Sequence, residues 1–322
     1  MQLTKLHEPL ATELAAVNNL IQQKLSSKIP MIDNIAQHIV KNGGKRIRPL
    51  LVLLSANACN YKGDDHITMA VIVELIHAAT LLHDDVVDAS LVRRKQQTAN
   101  EQWGNQAAVL VGDFLYSRAF QMMATLNDLK IMQIMAEATN TIAEGEVQQL
   151  INKSCTTITE LQYLEVIRNK TAKLFEAAAE SGAIIANSSS YVCTAFKHFG
   201  LHLGTAYQII DDVLDYTSYQ EELGKKQGKD IDEGKATLPI IHALQHAPAA
   251  DKIILTQALT KNSSTSLTKI NLILRRTKSI QYATRFAKRE AQLAIEALAE
   301  LPKNKFKQSC IDLANFSVER KF

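Results

Sequence analysis

Proline is rare in this chain of 322 residues, and its six copies are unevenly placed. None lies between Leu50 and Leu238, and glycine is sparse over the same stretch. Because proline removes a backbone donor and clashes inside a helix, its absence allows long uninterrupted helices. Alternating apolar and polar runs flanked by turn residues are also scarce, which argues against a β fold.

Cysteine is scarce as well, with copies at Cys59, Cys155, Cys193 and Cys310. No two of them form a C-x-x-C pair, so their spacing does not indicate a zinc site. Disulfide frameworks are typical of short secreted chains that are much richer in cysteine. We therefore expect reduced thiols, mostly in the core, and a cytoplasmic protein.

The chain also lacks a large net charge and a long apolar run. Lys and Arg number 36 against 33 Asp and Glu, and a net charge of +3 does not suggest nucleic-acid or membrane-surface binding. The longest apolar run, Met69–Leu82, has 14 residues and contains Glu74 and His77, which is short and polar for a bilayer span. The N-terminal stretch, with Glu8 and Glu13, lacks the layout of a signal peptide. We expect a soluble protein with no stable membrane insertion.

Apolar residues recur at helical spacing through most of the chain, for example at Leu110, Phe114 and Leu115. Several of these segments are apolar nearly all round, which is typical of helices buried in a bundle. The predicted helices cover about 7–25, 30–42, 46–59, 66–88, 105–126, 129–151, 159–186, 192–219 and 235–246, with more toward the end. The clearest loop of the last third is 262–265. We see no long linker and expect one all-α domain over residues 1–322.

One acidic pattern, Asp-Asp-x-x-Asp, occurs twice within apolar runs. The two copies are Asp84, Asp85 and Asp88, and Asp211, Asp212 and Asp215. Residues four apart on a helix share one face, with Cβ atoms about 5–6 Å apart, so the first and last Asp of each copy project together. Such like charges repel by a few tenths of a kcal/mol unless cations lie between them. Oxygen-only ligands favour Mg²⁺, which commonly bridges carboxylates to substrate phosphates.

Basic residues cluster near these acids. The clusters are Gly43-Gly44-Lys45-Arg46-Ile47-Arg48-Pro49, Arg93-Arg94, Lys170-Thr171, and Gly224-Lys225-Lys226 with Lys229 and Lys235. Glycine lets a ligand approach the backbone, and arginine forks match phosphate oxygens in pairs. His77 lies two helical turns before Asp84 and points toward the same cavity. Acids for metal, cations for phosphate and an apolar interior predict a site for a diphosphate with an apolar tail.

Together these motifs resemble those of the trans-isoprenyl (polyprenyl) diphosphate synthase family. The matching residues are 43–49, His77, Leu-Leu-His-Asp-Asp-Val-Val-Asp (81–88), Arg93-Arg94, Val-Gly-Asp-Phe-Leu (111–115), Glu-Gly-Glu (144–146), Lys170-Thr171-Ala172, Gln-Ile-Ile-Asp-Asp-Val-Leu-Asp (208–215) and Gly-Lys-Ala-Thr-Leu-Pro (234–239). They follow the family's order over most of the chain, and the last quarter diverges. The resemblance implies a bundle of mostly antiparallel helices around a large central cavity. It also implies a homodimer.

The resemblance implies a metal role for both acidic clusters. Asp84, Asp88 and Asp211 would bind three Mg²⁺ ions that hold an allylic diphosphate. Asp215 would be a further metal ligand, and Asp85 and Asp212 would support catalysis.

The resemblance also assigns the basic residues to two substrates. Those expected at the allylic diphosphate are Arg93, Lys170, Gln208, Lys225 and Lys235. Those expected at isopentenyl diphosphate are Lys45, Arg48, His77 and Arg94. Thr171 resembles the family's threonine beside the allylic carbon, where its oxygen favours a developing cation.

The implied reaction is Mg²⁺-dependent, successive head-to-tail condensation of isopentenyl diphosphate onto an allylic primer such as farnesyl diphosphate. Metal and Lys/Arg charge would stabilise the leaving diphosphate. The allylic cation would be attacked by the double bond of isopentenyl diphosphate, and a proton would then be lost. Since no dedicated base stands out, we expect the departed diphosphate to accept that proton.

One segment departs from the family's pattern. Gly228-Lys229-Asp230 has a lysine where the family usually has the first aspartate of Gly-Asp-Asp. The role of this loop is therefore open, whereas the two acidic clusters do not depend on it.

The residues before Asp84 limit product length. Thr80 lies about 6 Å from Asp84 along the helix axis, where short-chain members of the family carry an aromatic plug. Here Ala78, Ala79 and Thr80 are small, so a long tail can pass. The expected walls beyond them are Ile76, Ile72, Met122, Met123 and Met135, methionine being suited to irregular apolar space. We expect a long product, about octaprenyl diphosphate, which serves as a quinone side chain.

Four alternatives remain at this point. A shorter-chain geranylgeranyl or farnesyl diphosphate synthase would have the same site. A non-catalytic subunit of a heteromeric synthase would typically lose one acidic cluster, and a class I terpene cyclase would not need a site for isopentenyl diphosphate. A di-metal carboxylate bundle would require Glu-x-x-His pairs, which are not evident.

Overall fold

Nearly all regular structure in the protein is helical. The structure is a computed structural model that describes residues 6–41, 44–93, 95–217, 227–261 and 267–320. After a 3₁₀ turn at Glu8–Leu10, its helices are α1 Ala11–Leu25, α2 Pro30–Lys41, α3 Ile47–Ala58, α4 Asp65–Val87, α5 Ala99–Trp103, α6 Asn105–Thr125, α7 Leu129–Ile151, α8 Glu160–Ile167, α9 Lys173–Ile185, α10 Ser190–Thr217, α11 Lys229–Asp232, α12 Leu238–His246, α13 Ala249–Lys261, α14 Leu267–Arg276, α15 Ser279–Ala297 and α16 Lys305–Glu319. The expected all-α fold is confirmed.

The regular structure that the sequence did not predict is short. Strands β1 (Val92–Arg93) and β2 (Gln96–Gln97) form an antiparallel hairpin after the first acidic cluster. Helices α5 and α11 were not expected either. Arg94, Lys225, Gly43 and the predicted loop at 262–265 lie outside the described residues.

Helix α4 runs through the core and carries the first acidic cluster at its C-terminal end. Every residue from Met69 to Ile76 is buried, including Glu74. The apolar run alone is too short to span a bilayer, but α4 extends beyond it to 23 residues. By length and composition alone, the whole helix could therefore cross a membrane. However, 67% of its most apolar stretch is buried inside the protein, as expected for a core helix.

Capping residues fix where two of the site helices begin. The Asp128 side chain accepts hydrogen bonds from the backbone nitrogens of Lys130 and Ile131 at the start of α7. Thr159 and Gln162 form a reciprocal capping box at the start of α8. Such caps satisfy backbone donors that have no partner within the helix and so define its first turn.

A π-helical turn, Arg168–Ala172, joins α8 to α9 where the sequence predicts one continuous helix over 159–186. Two glycines let neighbouring helices contact its backbone. A Cβ at Gly145 of α7 would lie 2.8 Å from the Lys170 nitrogen, and one at Gly204 of α10 would lie 2.6 Å from the Ala172 Cα. Such turns often occur at functional sites, and this one carries Lys170 and Thr171.

The buried apolar residues form two clusters that meet along α10. The larger contains residues of α1 to α4, α6, α7 and α9, such as Leu53, Ile72 and Phe175. The smaller joins α8 and the second half of α10 to α12–α15, through residues such as Tyr163 and Ile209. Helix α10 therefore holds the second acidic cluster against both halves of the core.

Candidate active site

A central cavity of about 610 Å³ opens between α3, α4, the π turn and α10. Several of the residues singled out in the sequence lie on its wall. They are Lys45, Arg48, His77, Ala78, Thr80, Asp84, Arg93, Lys170, Thr171, Gln208 and Asp211. Chain segments far apart in sequence therefore place acids, cations and a hydroxyl around one space.

The three acids of the first cluster have different surroundings. Asp84 lines the central cavity. Asp85 is buried and accepts hydrogen bonds from Arg93, with Nη2 to Oδ1 at 2.8 Å and Nε to Oδ2 at 3.1 Å. Asp88 accepts a hydrogen bond of 2.8 Å from the Lys235 ammonium. Asp85 thus holds Arg93 at the cavity, whereas the other two acids face separate lysines.

The contact between Lys235 and Asp88 affects the ionisation of both groups. Burial alone would raise the pKa of Asp88, but Lys235, with smaller contributions from Lys170 and Lys229, brings it below its usual value. Burial would also lower the pKa of Lys235, and the carboxylates of Asp88 and Glu233 instead raise it. Both charges are therefore kept at neutral pH.

The second cluster begins with an ion pair to the C-terminal part of the chain. Arg320 Nη1 lies 2.7 Å from Asp211 Oδ1, and the Arg320 side chain is 2% exposed. Asp212 is buried on the other side of α10. Asp215 is fully buried and accepts a hydrogen bond from the Asp230 backbone nitrogen at 3.0 Å, which ties the segment after Gly228 to α10.

Lys170 in the π turn lies among acids. Its ammonium donates to Glu146 Oε2 at 2.5 Å and to Gln149 Oε1 at 2.9 Å, and it is 3.8 Å from Asp84 Oδ2. Burial, together with the negative charge of Asp84, raises the pKa of Glu146 to about 7, although Lys170 opposes this rise. Glu146 is thus a carboxyl group that changes charge near neutral pH beside Asp84.

A chain of hydrogen bonds leads from Thr171 into the core. Thr171 Oγ1 donates to Gln208 Oε1 at 2.9 Å, and Gln208 Nε2 donates to Asp212 Oδ1 at 2.7 Å. The Tyr163 phenol donates to the other oxygen of Asp212 at 2.6 Å. Burial, then the charge of Asp230, raises the pKa of Asp212 well above its usual value.

Cations and aromatic rings form the opposite wall of the cavity. The Arg48 guanidinium lies 4.7 Å from the centre of the Phe175 ring. Lys45 is 5.8 Å from the ring centre of Phe316. His77 lies on the same wall. Such stacking orients a guanidinium without neutralising it, so the wall can meet an anion.

Lys229, the departure from the family's pattern, links two loops. Its ammonium donates to Ser90 Oγ at 3.0 Å and lies 3.2 Å from Glu233 Oε1. Ser90 lies two residues before the hairpin that carries Arg93. The lysine therefore connects the segment after the second acidic cluster to the segment after the first.

Comparison with known proteins identifies the family. The profile of the polyprenyl synthetase family matches residues 29–275. The chain belongs to this family. It is 45% identical to the octaprenyl diphosphate synthases of Haemophilus influenzae, over 100% of this chain and 97% of that one, and of Escherichia coli, over 99% of each. A polyprenyl synthase from Caulobacter crescentus, solved with calcium and isoprenyl diphosphate, superposes with a TM-score of 0.96 at 37% identity, over 99% of this chain and 98% of that one.

These matches define the chemistry. This polyprenyl synthetase is a prenyltransferase, a long-chain trans-polyprenyl diphosphate synthase whose substrates are isopentenyl diphosphate and an allylic diphosphate. It depends on a divalent metal.

The residues of this polyprenyl synthetase fit such a metal. Within the described ranges, no three His, Cys, Asp or Glu side chains converge closely enough to hold an ion by themselves. Asp84, Asp88 and Asp211 are partly accessible, with side chains 19%, 21% and 36% exposed. Carboxylates that are few and partly accessible suit Mg²⁺, which takes its remaining ligands from water and substrate phosphate.

A lateral groove of about 830 Å³ lies between α4, α6 and α7. Its wall includes Thr80, Asp84, Tyr116, Phe120 and Ile142. Thr80 and Asp84 also line the central cavity, so the two spaces meet at these residues. The groove therefore begins where an allylic chain would leave its diphosphate.

The other residues predicted to control chain length lie in the packed core. Ala79, Ile76 and Met135 have no exposed surface, and Met123 is 1% exposed. None of the four lines either the central cavity or the lateral groove. A tail that reached them would have to displace packed side chains, and their role in chain length stays a prediction.

Sequence reasoning missed several residues of the site. Arg320 lies in the divergent last quarter of the chain, and Tyr163 occurs in no motif that we recognised. Glu146 belongs to the matching Glu-Gly-Glu segment, but nothing in its spacing indicated a contact with Lys170. Tyr163 lies seven residues before Lys170, about two turns of the predicted helix, and this spacing was the one signal that could have placed it near the site.

Proposed function

We propose that the protein makes octaprenyl diphosphate from farnesyl diphosphate and isopentenyl diphosphate in the cytoplasm, for use as a quinone side chain. The observation that carries this proposal is one cavity whose wall holds Asp84 and Asp211, one acid from each cluster, together with Lys45, Arg48 and His77. Two diphosphates need two groups of cations, and the cavity has both. The octaprenyl product is supported by the names of the relatives from Haemophilus influenzae and Escherichia coli.

Three Mg²⁺ ions, held by Asp84, Asp88, Asp211 and Asp215, would supply the positive charge that stabilises the leaving diphosphate. Lys170, Arg93 and Lys235 would add positive charge at the same diphosphate, where Lys225 and the uncharged Gln208 are also expected. Asp85 orients Arg93 through two hydrogen bonds. Preorganised charge of this kind stabilises an ionising bond more than flexible water does.

Isopentenyl diphosphate would bind at Lys45, Arg48 and His77, with Arg94 expected at the same site. The stacking of Arg48 on Phe175 keeps its guanidinium pointed at the cavity. The Thr171 oxygen would face the allylic carbon and favour its developing cation. After the carbon–carbon bond forms, the departed diphosphate would still lie in the cavity beside the new bond. It would therefore accept the proton that is lost.

The growing tail would enter the lateral groove past Thr80, which lines both the groove and the central cavity. The small side chain at this position leaves the passage beside Asp84 open. Ile76, Met123 and Met135 would limit its length, because methionine side chains can shift to admit an apolar chain before they stop it.

We further propose that residues 1–322 act as one domain and that the enzyme is a homodimer. Helices α6 and α7 expose large apolar side chains, with Leu110 67%, Val147 57% and Ile151 70% exposed. Apolar surface of this extent is typical of a subunit interface. Sedimentation of the purified protein at about twice the chain mass of 35.7 kDa would support the dimer.

The test of the activity is incubation of the purified chain alone with farnesyl diphosphate, labelled isopentenyl diphosphate and Mg²⁺, followed by chain-length analysis. We expect an octaprenyl product that requires both substrates and the metal. A product no longer than geranylgeranyl diphosphate would identify a short-chain synthase. No turnover by the chain alone would identify a subunit that needs a partner.

A further inference from the structure

Tyr163 lies in the core, yet its hydroxyl reaches a catalytic aspartate. It belongs to α8, is 4% exposed, and donates to Asp212 Oδ2 at 2.6 Å across 49 residues of sequence. We infer that Tyr163 is a positioning residue, which acts through Asp212 and Gln208 to orient the Thr171 hydroxyl toward the allylic carbon. This inference rests on the proposed function, with the Thr171 oxygen facing the allylic carbon and with Asp212 as the catalytic support that the family resemblance implies.

The argument begins with the two oxygens of Asp212. Tyr163 O–H is directed at Oδ2 and Gln208 Nε2–H at Oδ1, at 2.6 and 2.7 Å. Two donors on opposite oxygens fix the rotation of a carboxylate about its terminal bond. Without the phenol, Oδ2 would be free to turn, and Oδ1 would turn with it.

The orientation of Asp212 then determines that of Gln208. A glutamine amide has a donating end and an accepting end. Because the NH₂ group is directed at Asp212, the carbonyl oxygen remains for Thr171, whose hydroxyl donates to it at 2.9 Å. The single hydrogen of Thr171 is thereby used, and its lone pairs are left for an electron-poor carbon.

A neighbouring cavity explains why the phenol is needed. A space of about 140 Å³ is lined by Tyr163, Gln208 and Asp212 and also by the lysines Lys170 and Lys235. An Asp212 oxygen released from Tyr163 could turn toward this space and its cations. The tyrosine hydroxyl therefore holds the carboxylate toward Gln208 and away from this space.

Tyr163 is suited to this role because it is firmly held. Its ring belongs to the smaller core cluster, with Leu164, Ile167 and Ile209. Burial, and then the negative charge of Asp212, raises the pKa of Tyr163 well above its usual value, so the phenol keeps its proton. A fixed, always protonated donor is what a positioning contact requires.

The test compares Tyr163→Phe, Asp212→Asn and the double variant in single-turnover reactions, which report the first condensation rather than product release. We expect Tyr163→Phe to slow this step by about 10- to 100-fold, with the concentrations of both substrates for half-maximal rate nearly unchanged. Since the tyrosine acts through Asp212, the double variant should be no slower than Asp212→Asn.

Tyr216→Phe is the matched control. Tyr216 is a buried tyrosine on α10 whose hydroxyl contacts Thr237 Oγ1 at 3.2 Å, so the variant loses a comparable hydroxyl in the same cluster. It should react at the parent rate. All variants are assayed at a temperature where circular dichroism gives the parent helix content, which removes unfolding as a cause of lost rate.

Parent-like rates for Tyr163→Phe alongside a slow Asp212→Asn would overturn the inference and leave the proposed function intact. Losses that multiply in the double variant, or an equal loss in Tyr216→Phe, would also overturn it, because they indicate packing. Full activity of Asp212→Asn would instead refute the proposed role of Asp212, and the inference with it.

Discussion

Arg320, near the C-terminal end of the chain, donates to Asp211 with Nη1 2.7 Å from Oδ1. Its guanidinium also stacks 3.6 Å from the centre of the Tyr207 ring. The Arg320 guanidinium is therefore paired with Asp211, which we propose as a metal ligand. A metal on the same carboxylate would be repelled by this guanidinium, so we expect the arginine and the metal to compete for Asp211.

Replacement of Arg320 should ease metal binding. We expect Arg320→Gln to lower the Mg²⁺ concentration needed for half-maximal activity by about threefold or more, as removal of one charge–charge contact of this kind is worth about 1 kcal/mol. The measurement is a Mg²⁺ titration of the initial rate. Arg285→Gln, an exposed arginine on α15, should leave the titration unchanged. A higher Mg²⁺ requirement for Arg320→Gln would mean that the arginine supports the site instead.

Lys235 should matter far more than Lys229. Lys235 holds both Asp88 and Glu233 at 2.8 Å, and its loss would leave two carboxylates facing each other. We expect Lys235→Met to lower kcat/KM by about 100-fold or more, the usual range for the loss of a preorganised charge. Lys229→Met, which removes the contacts to Ser90 and Glu233 from a more exposed position, should cost less than about 10-fold. Equal losses would refute this ranking.

The general architecture could be predicted from sequence because helical signals are local. The absence of proline over Leu50–Leu238 and the spacing of apolar residues depend only on neighbours in the chain. Predicted helices at 129–151 and 105–126 end within one residue of α7 and α6. The π turn was not predicted, because it depends on the approach of Gly145 and Gly204 from other helices.

The site could be predicted only where a motif carries its own chemistry. Asp84 and Asp211 were found because repeated acids on an apolar helix are unusual. Arg320 and Tyr163 reach the same site through tertiary contacts across 109 and 49 residues, from Asp211 and Asp212 respectively, and no local pattern marks them. The catalytic roles of all these residues stay predictions until variants are measured.

Stability should fall on acidification through Glu13. Burial alone would raise the pKa of Glu13, but hydrogen bonds with His66 and Asn57 bring it below the ordinary value of 4.5. A pKa lowered by folding gives stability that is present above pH 4.5 and is lost as the pH falls through the folded value. We expect Glu13→Gln to lower the urea midpoint at pH 7 and to converge with the parent once the pH has fallen through the folded pKa of Glu13.

The control for this pH dependence is Glu8→Gln, which changes an exposed glutamate nearby. Its urea midpoint should follow that of the parent at every pH. A Glu13→Gln difference that stays constant between pH 7 and the acid range would refute the electrostatic explanation, because a lost packing contact does not depend on pH.

Thr80 should control product length, since it lines both the central cavity and the lateral groove. We expect Thr80→Tyr to give products of about farnesyl or geranylgeranyl length, because a ring at this point lies about 6 Å from Asp84 along the helix. Labelled products are separated by chain length after reaction with excess isopentenyl diphosphate. Thr80→Ser keeps the small volume and the hydroxyl that donates to the His77 carbonyl at 2.8 Å, so its products should match the parent's. Octaprenyl diphosphate from Thr80→Tyr would mean that the tail leaves the cavity by another path.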